Sequence, residues 1–441
     1  MSTFLGPKRL RSCDEHKTTQ ENHEKGQEVK VVQVFGNDLA LGAGIASGAG
    51  IAMARLHAGL RTAGVDSHLL CERKTTNSAH VSTIRPLHWA ERQLRRVTSR
   101  LGLNDIHRLS SFSIKRHPTY LNADIVHFHA THGGFINYLA LPSLTRHKRA
   151  LFTLHDMWLM TGHCAISYDC DRWKFGCGKC PYPDSYPAIR RDATKIEWKL
   201  KKWVYGRTNL SIVSLSNWQT EQIKASMLNR FPVHHIPNGI DTAVYKPLDR
   251  EQCRSVLGIP LGKRVLMFAA PRLDAHWKGG DLLLESLRSL PMSLKERTVL
   301  LLLGDKGDAI AHSGIQTLKM GHISNDRLKA ALFSASDLFV HPTRADMFPL
   351  VLQESMACGT PMVSFRVGGV PDLVRPGITG YLAEPGNTSD FRNGIIQLLE
   401  DDSLHSHMSR QCRAIALKEY TVELQVQRYI ALYKRLLQND T

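Results

Sequence analysis

The stretch from Arg344 to Phe365, Arg-Ala-Asp-Met-Phe-Pro-Leu-Val-Leu-Gln-Glu-Ser-Met-Ala-Cys-Gly-Thr-Pro-Met-Val-Ser-Phe, constrains the fold of this chain more than any other. It follows an apolar run, Ala335 to His341, that reads as a buried strand ending in a polar loop. Pro349 suits the first turn of a short helix over Leu350–Cys358, and Gly359 suits its stop. Met362–Phe365 reads as a further β-run, and Gly368-Gly369 opens a second turn. In such an α/β unit, ligands sit beyond the carboxyl ends of the strands, and a helix N-terminus there offers backbone N–H groups to an anion. Two carboxylates flank the turn, Asp346 in the loop and Glu354 in the helix. Acids spaced by eight are common, but the whole string is long and specific.

The rest of the chain repeats the alternation of strand and helix. Val29–Phe35 reads as a strand, followed by the glycine-rich segment Gly42–Gly50, a helix from Ile51 to about Ala63, and a strand over Val65–Cys71. That is a βαβ unit of the dinucleotide-binding type, in which Gly48 and Gly50 let backbone approach phosphates. Ala123–His129 and Ala150–His155 read as parallel strands, each ending in histidine at the ligand-binding edge. Arg264–Ala269 and Val299–Gly304, with helices over Asp281–Leu290 and Asp326–Ser334, begin the same pattern again. The expected class is α/β, with two Rossmann-like doubly wound domains facing across a cleft. A length of 441 residues accommodates two such cores. The expected boundaries are a flexible polar tail at 1–28, a first domain at 29–240 and a second at 241–418. A closing helical segment, 419–441, carries an apolar stripe of Val422, Val426, Tyr429, Ile430, Tyr433 and Leu437.

A net charge of +17 calls for an anionic partner, whether nucleic acid, membrane surface or phosphorylated substrate. No standard nucleic-acid-binding motif is visible, so no nucleic acid is expected. The excess lies in the first half, notably Arg85–His117 and Arg190–Arg207, as in a protein that sits on anionic lipid. Ala188–Tyr205 reads as a basic helix, its tryptophans open to two roles, membrane interface or core. No run approaches a membrane span and no apolar region follows Lys8, Arg9 and Arg11, so the expected location is cytoplasmic, with candidate peripheral attachment to the inner membrane face.

Of nine cysteines, Cys164, Cys170, Cys177 and Cys180 fall close together. Cys177-Gly-Lys-Cys180 has the two-residue gap of a zinc half-site. A structural tetrahedral zinc leads over disulfides or free thiols. Four thiolates leave no open position, so no cofactor is expected for catalysis.

The organising segment resembles the signature of the family-4 retaining glycosyltransferases, an acid–x7–Glu pair followed by Ala-Cys-Gly-Thr-Pro and a Gly-Gly turn. Here the first acid is Asp346 rather than the usual glutamate. His132-Gly-Gly134 and His155-Asp-Met-Trp158 resemble a bacterial surface-polysaccharide branch, in which a histidine at the position of His155 lies near the donor sugar. The resemblance implies a GT-B fold, with a nucleotide-diphosphate sugar as donor and a lipid-linked or glycan acceptor. It implies that Arg272 and Lys278, in the family's Arg–x5–Lys spacing, meet the diphosphate charge. Gly48, Gly50, Ile323 and the amides of Leu350 and Val351 join the donor set, Glu354 holds the ribose, and Asp346 faces the sugar. A sugar-nucleotide epimerase shares this fold and is the alternative. A non-catalytic nucleic-acid-binding protein explains the charge but not the four residues Arg272, Lys278, Asp346 and Glu354 together.

Overall fold

The computed structural model describes residues 29–38 and 47–438. The 1–28 tail, the first part of the glycine-rich segment and the last three residues lie outside the described residues, and with them the expectations placed there.

The two-sheet architecture expected from the alternating pattern is observed. The first sheet contains β1 (Lys30–Val34), β2 (Asp66–Cys71), β3 (Val81–Thr83), β4 (Ile125–Phe128), β5 (Arg149–Thr153), β6 (Ser211–Ser214) and β7 (Val233–His235), in the order β3-β2-β1-β4-β5-β6-β7. The second contains β8 (Arg264–Arg272), β9 (Thr298–Asp305), β10 (Gln316–Gly321), β11 (Leu338–His341), β12 (Met362–Phe365) and β13 (Gly380–Ala383), in the order β10-β9-β8-β11-β12-β13. Pairing along both sheets is parallel. Parallel strands covered by helices on both faces read as continuous apolar runs. Val299 to Leu303 is one, buried throughout. At the sheet edge β10 has the half-exposed sequence Gln-Thr-Leu-Lys-Met-Gly, which gives no such signal.

Helix Thr194–Tyr205 starts six residues later than the sequence suggests. The Asp192 carboxylate, one residue before the N-cap Ala193, accepts from the amide and hydroxyl of Thr194 at 3.0 and 2.6 Å, an Asx-type turn ahead of the helix. Of its tryptophans, Trp198 is buried and donates to the carbonyl of Trp173 at 2.7 Å, whereas Trp203 is exposed. Of the two roles left open by the sequence, Trp198 takes the core one and Trp203 stands at the surface.

Helix Val422–Gln438 lies on the first sheet. Its Val426, Tyr429, Leu432 and Tyr433 bury against Val31, Ile125, Leu151 and Val213. The Tyr433 hydroxyl meets Nδ1 of His127 at 2.9 Å and the Tyr429 hydroxyl meets Thr153 Oγ1 at 2.8 Å, so these four polar groups under the helix are satisfied. Just before it, a backbone bridge joins Ile240 to Thr421 where the chain crosses between sheets. Among the described residues, no helix is long and apolar enough to cross a membrane.

Candidate active site

Between the sheets lies a cleft of about 1220 Å³, lined from one side by His132, His155 and Asp156 and from the other by Lys278, Arg344 and Asp346. Each side chain is held there by a local device. On the second sheet, the polar loop after β11 folds against the loop that carries Lys278. Arg344 clasps both carboxylate oxygens of Asp281 at 2.8 and 2.6 Å, and its amide donates to the carbonyl of Trp277 at 2.8 Å. Gly279 follows Lys278 at φ +69°, and a Cβ there would collide with the carbonyl of Pro342. Gly368, at φ +51°, lies equally close to the carbonyl of Asp346. Only glycine satisfies both demands at these two turns. The result is a Lys278 Nζ to Asp346 Oδ2 ion pair of 3.0 Å on the cleft wall, both side chains largely shielded from solvent. Behind it sits His341, 3.9 Å from Asp346, its imidazole pushed down to about 3 by burial and by Lys278.

On the first sheet, the carboxyl ends of β4 and β5 bring a histidine relay to the cleft. His129 Nε2 lies 2.7 Å from Gln33 Oε1, and His129 Nδ1 lies 3.1 Å from His155 Nε2. The amide oxygen of Gln33 only accepts, so His129 donates from Nε2 and accepts at Nδ1. His155 then donates from Nε2 and retains a lone pair at Nδ1. Burial pushes His155 down to about 4, which keeps it neutral near pH 7.

The loop after His155 is anchored from beneath by a fully buried lysine. Lys201 Nζ donates to the carbonyls of Trp158 and Thr161, at 2.8 and 3.0 Å, and lies 3.4 Å from the centroid of the Trp158 indole. Burial lowers its pKa, while Glu197 and Asp105 act to hold it charged. Tyr138 donates to Glu197 and the amide of Asn104 also does, at 2.6 Å, while burial pushes Glu197 itself up to about 7.

The donor set read from the sequence is not gathered in one place. His155, Lys278 and Asp346 line the cleft together. Glu354 is buried in helix Leu350–Ala357 and is held by Arg55 of helix Gly48–Thr62, Nη2 to Oε1 3.1 Å. Pro349 proves to be the N-cap of that short helix and supplies no side-chain cap to the turn containing Leu350 and Val351. Gly48 and Gly50 open helix Gly48–Thr62, with Ser47 Oγ accepting from the Gly50 amide at 3.2 Å. Ile323 packs at the rim of the second core. Arg272 is not in the cleft. It ends β8 with its guanidinium turned to solvent and forked onto Asp274 at 3.0 and 2.8 Å.

The four cysteines line one small recess with His163, whose Nε2 lies 3.2 Å from Cys180 Sγ. All four are free thiols. No three of their sulfurs lie within 4.8 Å of one another. Zinc with bonds of about 2.3 Å needs sulfurs roughly 3.8 Å apart. The ligand types fit zinc, but the arrangement is not drawn in to a tetrahedron.

Residues 46–244 match the family described as Glycosyltransferase Family 4, and residues 249–414 match Glycosyl transferases group 1. Together these matches take in both walls of the cleft. Both stretches are glycosyltransferase-family sequence. This glycosyltransferase-family chain is 29% identical over 215 residues to N-acetyl-alpha-D-glucosaminyl L-malate synthase of Bacillus anthracis, which covers 47% of this chain and 55% of that one. It is 32% identical over 184 residues to D-inositol 3-phosphate glycosyltransferase 1 of Catenulispora acidiphila, covering 38% and 44%. The chain spans about half the length of these relatives. Anabaena Alr3699/HepE, solved in complex with UDP and glucose, superposes with a TM-score of 0.63 at 18% identity, over 92% of this chain and 99% of that one. At that identity the likeness speaks for the GT-B fold.

Three residues outside the expected site set bear on the cleft walls and the cysteine recess. Arg55 sits in an ordinary-looking helix, and only the folded chain brings it to Glu354. Lys201 looks like one of many solvent-facing lysines in a basic helix, yet Glu197 at i−4 shares its helix face, and both are buried. His163 stands beside Cys164, and its use as a candidate ligand was legible in Thr-Gly-His-Cys.

Proposed function

We propose that this chain transfers a sugar from a nucleotide-diphosphate sugar to an acceptor hydroxyl, with retention of anomeric configuration. The observation that supports this best is the Lys278–Asp346 pair, 3.0 Å apart, on the cleft wall across from His155. A departing nucleoside diphosphate carries at least two negative charges, and a cation on the cleft wall offsets them where they develop. Lys278 takes that role, with the amides of Leu350 and Val351 completing the cradle. Asp346 opposes the partial positive charge at the anomeric carbon, and neutral His155 accepts from a sugar hydroxyl through Nδ1. Glu354 takes the ribose hydroxyls once Arg55 yields. Arg272 joins only by leaving Asp274. With no side chain assigned as nucleophile, the acceptor attacks from the leaving-group face. A phosphate oxygen of the departing diphosphate then takes the acceptor proton.

The acceptor in this reading is a lipid-linked or growing surface glycan. The exposed side chains of Trp89, Val97, Ile196 and Trp203 stand among the arginines and lysines of helices His88–Arg100 and Thr194–Tyr205, a mixture suited to an anionic membrane surface. A second reading, a small acceptor, draws on the relatives, whose names specify malate and inositol phosphate. A structural zinc at the cysteine recess completes the proposal.

The test is nucleotide release from a donor panel, UDP- and GDP-sugars included, with lipid-linked, malate or inositol-phosphate acceptors. Release that requires a lipid-linked acceptor supports the first reading, and release with the small acceptors supports the second. Conversion of the donor without any acceptor would make the chain an epimerase.

A further inference from the structure

The edge of the first sheet carries a second cluster of chemically capable side chains, away from the cleft. Asp66 and His68 lie two apart on β2, so the strand period puts both on one face. Leu69 pairs with Val81, which sets His80, the residue before β3, beside His68. The amide of Leu69 donates to the carbonyl of His80 at 2.8 Å and fixes that register. As a result Asp66 Oδ1 lies 3.0 Å from His68 Nε2, and the two imidazoles stand 5.1 Å apart, centroid to centroid. One ligand atom from each of the three residues lies within 4.8 Å of the other two. Among the described residues, this is the only set of three histidine, cysteine or carboxylate groups that meets this condition.

We infer that Asp66, His68 and His80 form a site for a borderline transition cation of the zinc, nickel or cobalt kind. A tetrahedral ion with bonds of roughly 2.0–2.1 Å holds its N and O ligands about 3.3 Å apart, close to the separation already present between Asp66 and His68. Two imidazoles and one carboxylate suit these metals and not magnesium or calcium, which prefer all-oxygen sets. His80 Nδ1 is buried and has no hydrogen-bond partner in the chain, an orphan that a metal or a bound proton donor would relieve. The three side chains are all partly exposed, so an ion has a route in and solvent can fill its remaining positions.

The surrounding charges limit the affinity. Arg61 acts on His80 and His57 and opposes a cation. His57 is engaged with Ser67 Oγ at 2.9 Å and is pushed down to about 4 by burial and Arg61, so near pH 7 it adds no further positive charge. Asp66 supplies the one close carboxylate. The ion would tie the three-residue edge strand β3 to β2, closing an edge otherwise held by few backbone bonds. His68 lies four residues, about 13 Å of strand, before the cleft residue Glu72. The site therefore bears on the edge of the sheet, and its test needs no substrate.

Titration of the intact chain with Co²⁺ alone distinguishes this site from the cysteine recess, because only thiolate ligands give an intense near-ultraviolet charge-transfer band. The expected result is one equivalent of Co²⁺ bound without that band, with a raised melting temperature. His68→Gln and His80→Gln should each weaken this binding at least tenfold and leave metal-free melting unchanged. Asp66→Asn provides the same reading at an exposed carboxylate should a histidine variant fail to fold. Equal thiolate-free binding in wild type and variants, or a thiolate band on every bound Co²⁺, overturns the inference.

Discussion

Arg55 reaches across from the first sheet's leading helix to Glu354 on the second, Nη2 to Oε1 at 3.1 Å, and also lies 3.5 Å from Asp326. Its side chain is largely buried over the ring of Tyr245, and its Nη1 has no partner. The carboxylate that the proposal gives to the donor's ribose is thus already engaged by the opposite wall. Donor binding must share or displace Arg55, which couples the relative position of the two walls to occupancy.

Removing Arg55 leaves two carboxylates facing a buried gap, and breaking one partner of such a set costs about 3 kcal/mol or more. Arg55→Met should therefore lower the melting temperature markedly. Arg55→Met combined with Glu354→Gln should recover a large part of the loss, since one stranded charge is gone. Additive losses in the double variant would show that the pair is not coupled. Nucleotide affinity should fall in Glu354→Gln and not in Arg55→Met.

Asp346 departs from the usual glutamate by one methylene, roughly 1 Å of reach. Displacements of that size matter to a reacting centre. Asp346→Glu and Asp346→Asn should each reduce turnover about a hundredfold while nucleotide affinity changes little. Lys278→Ala should lose both, since it removes the cation from the diphosphate. Asp346→Asn at wild-type rate would remove Asp346 from the mechanism.

Several histidines are held neutral by burial. His57, His107 and His155 are pushed down to about 4, and His127 and His129 lie well below the ordinary value of 6.5. Below 6.5 the unfolded chain binds protons that the folded chain refuses, so stability is full above about pH 6.5 and is lost as pH falls toward 4. Melting temperature followed from pH 7.5 to 4.5 should drop steeply. A flat profile between pH 7 and 5 would contradict the buried neutral assignment.

If the cysteine recess holds zinc, purified chain should contain about one zinc per chain, and chelation should lower its melting temperature. Cys177→Ser should lose the metal, and His163→Ala should show whether that imidazole takes part. Metal-free protein with four titratable thiols and unaltered melting would remove zinc from the account.

Much of this was legible in the sequence, and the gaps have physical causes. The strand ends that carry His129, His155 and Asp346 announce themselves because buried parallel strands are continuous apolar runs that stop abruptly at the ligand edge. Glycine turns mark the loops beside them. Edge strands such as β10 are half solvated and lack that signature. Arg55 and Lys201 acquire meaning only through partners far away in the chain, which no local pattern encodes. Arg272 shows the reverse: a family spacing places it at the diphosphate, but a nearby acid, Asp274, claims the guanidinium.

The helix Val422–Gln438, seated on the first sheet, also sets an order of events during synthesis. Val31, Ile125, Leu151 and Val213 are all made long before Tyr429 and Tyr433 can cover them. At typical elongation rates the interval between β7 and that helix is on the order of 10–40 s. For that time an apolar face and the polar atoms of His127 and Thr153 stay uncapped on the nascent chain. The first half can collapse early, but it cannot finish until the second half is built, and the step most exposed to aggregation falls between the two.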